Sequence, residues 1–177
     1  MQSPSLRDMV AGDAAACAAM VCASAVGERY CFRPDSLAEV LRSALAAGSE
    51  LFVAELAGFE GGHAPQAGQA APISRLAGFA WIDARGAFSS APYLRLIAVD
   101  ESLRGAGVGA ALLAEFETRT AGVGRDWCLL VSDFNAAAQA FYARHGYVKA
   151  GALPDFARDG IAEVLMVKKR GKQPQAT

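Results

Sequence analysis

Tyr93-Leu94-Arg95-Leu96-Ile97-Ala98-Val99, followed by Asp100-Glu101-Ser102-Leu103-Arg104-Gly105-Ala106-Gly107-Val108-Gly109-Ala110, is the stretch on which the reading of this chain turns. The first seven residues are nearly continuous in apolar side chains, as expected of a central strand covered on both faces. The second run joins that strand to a helix expected over about 107–120. Val108, Leu112, Leu113 and Phe116 fall on one face of this helix, with Glu115, Thr118 and Arg119 on the other. Glycines at 105, 107 and 109 remove Cβ atoms where backbone must come close to something. The first turn of a helix also presents unpaired N–H groups and a positive dipole end. Strand, glycine loop and helix start together make an anion site suited to phosphate, with the Arg104 guanidinium beside it.

Two kinds of phosphate ligand compete for such a loop. A dinucleotide reading takes Gly105, Gly107 and Ala110 as G-x-G-x-x-A and Asp133 as the ribose acid. It fails because five residues separate Val99 from Gly105, where that fold needs its tight turn directly at the strand end. Asp133 also lies too far downstream, and the loop comes too late for a doubly wound sheet to follow. No G-x-x-x-x-G-K-[ST] run exists in the chain.

The second ligand is the pyrophosphate of coenzyme A. Arg104-Gly105-Ala106-Gly107-Val108-Gly109 resembles the Q/R-x-x-G-x-G/A signature of the GNAT superfamily of acyl-CoA-dependent N-acyltransferases. Downstream, Asn135-Ala136-Ala137-Ala138-Gln139-Ala140-Phe141-Tyr142-Ala143-Arg144-His145-Gly146-Tyr147 resembles the family's N-x-x-A-x-x-F/L-Y-x-x-x-G-F/Y motif. The likeness is sharp from Tyr93 to Tyr147 and only topological before that. It implies an α/β (α+β) fold: a mixed, mostly antiparallel sheet of six to seven strands with splayed central strands, flanked by about four helices.

The resemblance also implies the chemistry. Acetyl-CoA would be the co-substrate, its pyrophosphate held by backbone from Arg104 through Gly105, Ala106, Gly107, Val108, Gly109 and Ala110. Its pantetheine arm would pair with the backbone of Ile97, Ala98 and Val99 and meet Asn135. Tyr142 would be the thiolate partner and general acid. Helical spacing sets Asn135 and Tyr142 seven residues apart on nearly one face, with Phe141 turned away toward the core. Pattern alone leaves open that Tyr142 is a packing aromatic and Asn135 an N-cap. The implied reaction is direct acetyl transfer to a primary amine of a small molecule. The alternatives are a protein N-terminal or lysine acetyltransferase and a non-catalytic acyl-CoA-binding module.

The acceptor amine must lose a proton, because an alkylammonium titrates near pH ~10.4. Glu28, Asp83, Asp133 and Glu163 are the candidate bases. The acceptor pocket is expected from Glu28 to Phe32, including Tyr30, together with Tyr93, Arg95 and the segment 153–163. Pro154-Asp155-Phe156 is expected to be a turn or lid there. Arg95 on a central strand is notable, since a buried cation needs a partner. His145 is expected to cap a helix C-terminus, where a cation is favoured.

Elsewhere the pattern is also mixed. A short strand at 6–10 precedes a helix N-capped by Asp13, which buries Cys17, Met20 and Val21. A loop over 27–34 leads to a capping box, Ser36-Leu37-Ala38-Glu39. This opens a helix with Leu37, Val40, Leu41, Ala44 and Leu45 on one face, ended by Gly48. Strands are expected at 50–56, 75–83, 126–132, 147–150 and 161–168. The Gly-, Pro- and Gln-rich stretch at 57–74 reads as a loose insertion, and residues 171–177 as a disordered tail. Residues 1–170 then form a single domain.

Composition bounds this reading without naming an activity. The 177 residues carry a net charge of −1 with 53% hydrophobic residues, too neutral for a dedicated nucleic-acid binder and too apolar for disorder. Alanine accounts for 39 positions, so much of that apolar content is small. Cys17, Cys22, Cys31 and Cys128 lack metal-ligand spacing and read as buried thiols of a cytoplasmic protein, with no metal. The Ala-rich stretch at 9–26 mimics a secretory signal, but Asp8 and Asp13 interrupt it, and no window spans a membrane. The expected partner is a small-molecule amine, with a homodimer as a candidate assembly.

Overall fold

The computed structural model describes residues 3–57 and 74–170. The strands are β1 (Ser5–Asp8), β2 (Glu50–Ala57), β3 (Ser74–Ala87), β4 (Ala91–Val99), β5 (Asp126–Ser132), β6 (Val148–Arg158) and β7 (Ile161–Lys169). The helices are α1 (Ala14–Cys22), α2 (Ala25–Arg29), α3 (Pro34–Ala46), α4 (Val108–Arg119) and α5 (Ala136–Arg144). The seven strands hydrogen-bond in the order β1-β2-β3-β4-β5-β7-β6, a mixed and mostly antiparallel sheet. The expected insertion, apart from its strand-forming ends Ala57 and Ser74, lies outside the described residues, as does the expected tail. The chain divides into two compact units, residues 1–81 with 97–115, and residues 82–96 with 116–177.

In the first unit, β1 and β2 pair antiparallel from Ser5↔Glu55 to Asp8↔Phe52. The core holds Leu51, Phe52, Val53, Ala77, Phe79, Leu112 and Leu113, all 3% exposed or less. Asp13 does not cap α1 as expected. A 3-10 turn over Ala11–Asp13 precedes the helix, so Asp13 is already helical at φ −76° and ψ −19°. Its carboxylate instead accepts the Val10 N–H at 2.9 Å and the Arg7 guanidinium at 2.8 and 3.0 Å. Arg7 in turn reaches Glu55 at 2.6 Å.

Helix α3 starts two residues before the expected Ser36 box, with Arg33 as N-cap and Pro34 in the first turn. Proline wins that position because its fixed φ suits a helix start and its missing N–H would be unpaired there. The buried face is Ala38, Leu41 and Ala44, while Val40, expected inside, is 49% exposed. The end of α3 is a Schellman motif: Ser49 N–H bonds the Ala44 carbonyl, Gly48 N–H bonds Leu45, and Gly48 sits at φ +81°. The first residues of the expected loop at 27–34 belong to α2, which Ser24 caps by accepting the Gly27 N–H at 3.2 Å. Cys31 is exposed at φ +56°, not buried; Cys22 is half-buried, whereas Cys17 is buried, its thiol pushed up to about 12 by desolvation.

In the second unit β4 and β5 run parallel, in register at Tyr93↔Cys128 and Leu94↔Leu129 only. The next positions, Arg95 and Leu96 against Leu130 and Val131, are not registered, which is the expected splay. Strand β5 pairs with β7 along its whole length, from Asp126↔Lys169 to Ser132↔Glu163. Strand β6 is far longer than the few residues expected and ends the sheet order, exposed along almost all of its length. Pro154-Asp155-Phe156 belongs to that strand rather than to a turn. Its register with β7 shifts between Leu153 and Arg158, and Asp155 sits at φ +53° there, so a bulge replaces the turn.

Candidate active site

In the first unit the glycine loop is built by its neighbours. Asp100 N-caps a 3-10 turn over Glu101–Leu103, accepting the Ser102 N–H at 2.9 Å and the Ser102 hydroxyl at 2.6 Å. The Arg75 guanidinium from β3 donates to Asp100 at 2.7 Å and to Ser102 at 3.0 Å, and the Asp100 N–H bonds the Ala77 carbonyl at 2.9 Å. The Ser102 hydrogen bond first, and Arg75 with it, hold the Asp100 carboxyl below its ordinary range. Gly105 and Gly107 sit at φ +82° and +83°, which only glycine adopts at low cost. A Cβ at either would meet nothing within 4 Å, so the chain leaves open space beside both.

Ala106 N–H bonds Leu103 and Ala111 N–H bonds Gly107. Among the described residues, the N–H groups of Gly105, Gly107, Val108, Gly109 and Ala110 find no acceptor in the protein. Five such donors around the start of α4, with the exposed Arg104 guanidinium 3.3 Å from Glu101, suit a multiply charged anion such as a pyrophosphate. Gly78 sets the helix at this height. A Cβ there would lie 2.7 Å from the Ala98 carbonyl oxygen and 3.0 Å from both Val108 and Leu112. Ile97, Ala98 and Val99 are half-buried at the end of β4. Glu28 is exposed at the end of α2, and Tyr30 stacks on Phe32 at 5.6 Å.

In the second unit α5 carries the other predicted residues. Asn135 is its N-cap, the side-chain oxygen accepting the Ala138 N–H at 3.1 Å. That leaves the amide nitrogen with no hydrogen bond among the described residues. The helix ends in a second Schellman motif: Tyr147 N–H bonds the Tyr142 carbonyl and Gly146 N–H bonds Ala143, each at 3.1 Å, with Gly146 at φ +89°. Phe141 was expected to anchor the core and Tyr142 to share the cofactor-facing side of the helix with Asn135; Phe141 is not the core anchor. Tyr142 is 5% exposed and Phe141 only half-buried, because the Schellman turn brings Tyr147 against Tyr142. The Tyr142 hydroxyl makes no hydrogen bond, yet the only fully buried unpartnered side-chain polar atom among the described residues is Arg170 Nε. The hydroxyl therefore keeps contact with solvent. Burial, and then the neighbouring Tyr93, push its pKa well above the ordinary value, so the phenol stays protonated. His145 is the C-cap residue, its Nδ1 2.8 Å from the Phe141 carbonyl.

Tyr93 and Arg95 also belong to this unit. Arg95 is exposed rather than buried, so the cost attached to a buried cation does not arise. Three contributors escaped sequence reasoning. Arg75 opens a strand beside a low-complexity stretch and carries no local signal. Gly78 did carry one, since a glycine inside a strand often marks close backbone approach. Tyr147 was visible only as the end of a motif.

Comparison with known proteins follows this geometry. The family model described as the acetyltransferase (GNAT) domain matches residues 47–149. A search of curated proteins finds no match. Among solved structures, Ard1 from Thermoplasma volcanium is 19% identical with a TM-score of 0.68, covering 96% of this chain and 99% of its own. The yncA protein of Salmonella typhimurium, solved with its cofactor acetyl-CoA, is 16% identical with a TM-score of 0.60, covering 98% and 99%. A nourseothricin acetyltransferase is 26% identical with a TM-score of 0.51, covering 68% of this chain and 65% of its own. With the family model spanning more than half of its length, this chain belongs to the GNAT acetyltransferase family.

Proposed function

We propose that this chain moves an acetyl group from acetyl-CoA to a primary amine of a small molecule, by direct transfer with both substrates bound. The observation that carries the reading is the loop of five unpaired N–H groups between Gly105 and Ala110, beside two positive-φ glycines with open space. These groups bind the pyrophosphate oxygens, Arg104 adds a guanidinium, and the backbone of Ile97 to Val99 aligns the pantetheine arm. Asn135 offers its free amide nitrogen to that arm. The bound thioester supplies an activated carbonyl. Tyr142 presents a protonated hydroxyl to the departing sulfur. Because burial raises its pKa, transferring the proton outright to a thiolate, whose thiol titrates near ~8.5, is uphill. Tyr142 therefore acts mainly as a hydrogen-bond donor as negative charge builds on sulfur.

The small-molecule acceptor is supported by the likeness to nourseothricin acetyltransferase. Residues 1–170 form the acetyltransferase domain in this reading. Its four thiols, free among the described residues, suit a reducing cytoplasm. The test is thiol release from acetyl-CoA across a panel of small primary amines and N-terminal peptides. Release with a small amine is expected; release only with peptides would move the acceptor to protein.

A further inference from the structure

The second unit buries one charged side chain among the described residues, Glu163 on β7, 6% exposed. It stands in register opposite Ser132 of β5, whose hydroxyl donates to Oε1 at 3.3 Å. Opposed residues in an antiparallel pair share a face, and alternation brings Cys128 and Leu130 onto the face of Ser132. Tyr93 is registered with Cys128, so it joins them. Glu163, Arg95 and Cys128 all act electrostatically on the Tyr93 hydroxyl, and Tyr93 on Tyr142. One face of this sheet thus collects Tyr93, Arg95, Ser132 and Glu163, where the opposite face buries Leu94, Leu129, Val131, Val164 and Met166.

A buried carboxylate is costly to desolvate, and fold alone would place a hydrophobic residue there. We infer that Glu163 is the proton acceptor for the incoming amine, with Ser132 holding its carboxylate in place. The inference rests on the acetyltransferase reading above and names the base which that reading leaves open. The acceptor arrives as an ammonium. One N–H proton passes to a Glu163 oxygen, and the freed nitrogen lone pair forms the new C–N bond to the thioester carbonyl. The C–S bond then breaks, Tyr142 donating a hydrogen bond to the departing sulfur, and the second proton lost by the nitrogen passes through solvent to the thiolate, leaving amide and free thiol. Ser132 of β5 bonds Glu163 directly, and the titratable and charged groups sharing its face are Tyr93 and Arg95 of β4 and Cys128 of β5. On β6 Leu153 is opposite it and Asp155 lies two residues beyond.

The test compares wild type with Glu163→Gln and Ser132→Ala, using acetyl-CoA and whichever of putrescine, tyramine, kanamycin or an alanine-first peptide the wild type turns over fastest. Glutamine keeps the shape and the contact with Ser132. The expected result for Glu163→Gln is unchanged CoA binding, a kcat/KM roughly 10²- to 10³-fold lower near pH 7, and recovery toward pH 10 as solvent deprotonates the amine. Ser132→Ala should lower the rate less and keep the wild-type pH profile shape. A Glu163→Gln profile parallel to wild type, with CoA still bound, would overturn this inference alone. Absence of CoA binding or of thiol release by the wild type would overturn the reading beneath it.

Discussion

The rings of Tyr142 and Tyr147 meet edge to face at 5.9 Å because the Tyr147 N–H closes on the Tyr142 carbonyl at 3.1 Å. The Schellman turn that ends α5 is thus also the device that orients the tyrosine assigned to the leaving sulfur. Its ring is fixed by packing against Phe141 and Tyr147, and its hydroxyl is left without a protein partner. Tyr142→Phe should therefore change folding stability by less than about 0.5 kcal/mol, since no hydrogen bond is lost. It should lower kcat by about 10²-fold while leaving the KM for acetyl-CoA within about twofold. Steady-state kinetics with thermal melts separates the two effects.

Gly107 should be a ligand position more than a stability position. Gly107→Ala forces a side chain into the left-handed region, at about 1–2 kcal/mol. Gly107→Leu, unbranched at Cβ, adds bulk to space that is open in the protein, so its penalty beyond that of alanine should appear mainly in the binding of CoA rather than in the melt. Calorimetric titration with CoA beside thermal denaturation checks this.

Gly78 should behave in the opposite way. Its missing Cβ would lie 2.7 Å from the Ala98 carbonyl oxygen, and backbone there cannot swing aside. Gly78→Ala should destabilise the protein by about 1–3 kcal/mol. It should also weaken CoA binding, because the start of α4 must move. Chemical denaturation measures the first effect.

Glu117 accepts both the Lys168 ammonium, at 2.6 and 2.8 Å, and the Tyr147 hydroxyl, at 3.2 Å. Lys168 also lies 5.5 Å from the Trp127 ring centroid. Glu117→Ala leaves a half-buried cation and a nearly buried phenol unpaired and should cost about 1–3 kcal/mol. Glu117→Gln should recover part of this by keeping the tyrosine bond. Denaturant unfolding of both variants tests it.

Acid stability should depend on Asp13. The Arg7 hydrogen bonds hold its carboxyl below the ordinary value in the folded protein. A depressed folded pKa contributes stability above the unfolded value, near ~3.9, and loses it as pH falls through the folded one. The melting temperature should therefore drop steeply below about pH 4 in wild type and less steeply in Arg7→Met, measured from pH 3 to 7.

Much of this was legible in the sequence where local chemistry and tertiary packing agree. Residues 126–132 form a strand, 108–119 a helix and Gly146 its neighbour's stop because apolar pattern and glycine chemistry point the same way. The glycine loop was legible for the same reason. Misreadings arose where a neighbour overrides a local signal. Asp13 looks like a cap but is claimed by Arg7, Ser36 looks like a cap but Pro34 starts the helix earlier, and Phe141 looks like a core anchor but is left half-buried because Tyr147 folds back on Tyr142 instead. The clamp from Arg75 to Asp100 spans 25 positions, and only the pairing of the two strands between them brings it together.

The most direct test of the central claim is thiol release from acetyl-CoA by the purified chain, with and without small primary amines, following the acetylated amine by mass. The account predicts amine-dependent release matched one to one by N-acetyl product. Failure to bind CoA, or binding with no amine-dependent release across the panel, would contradict it.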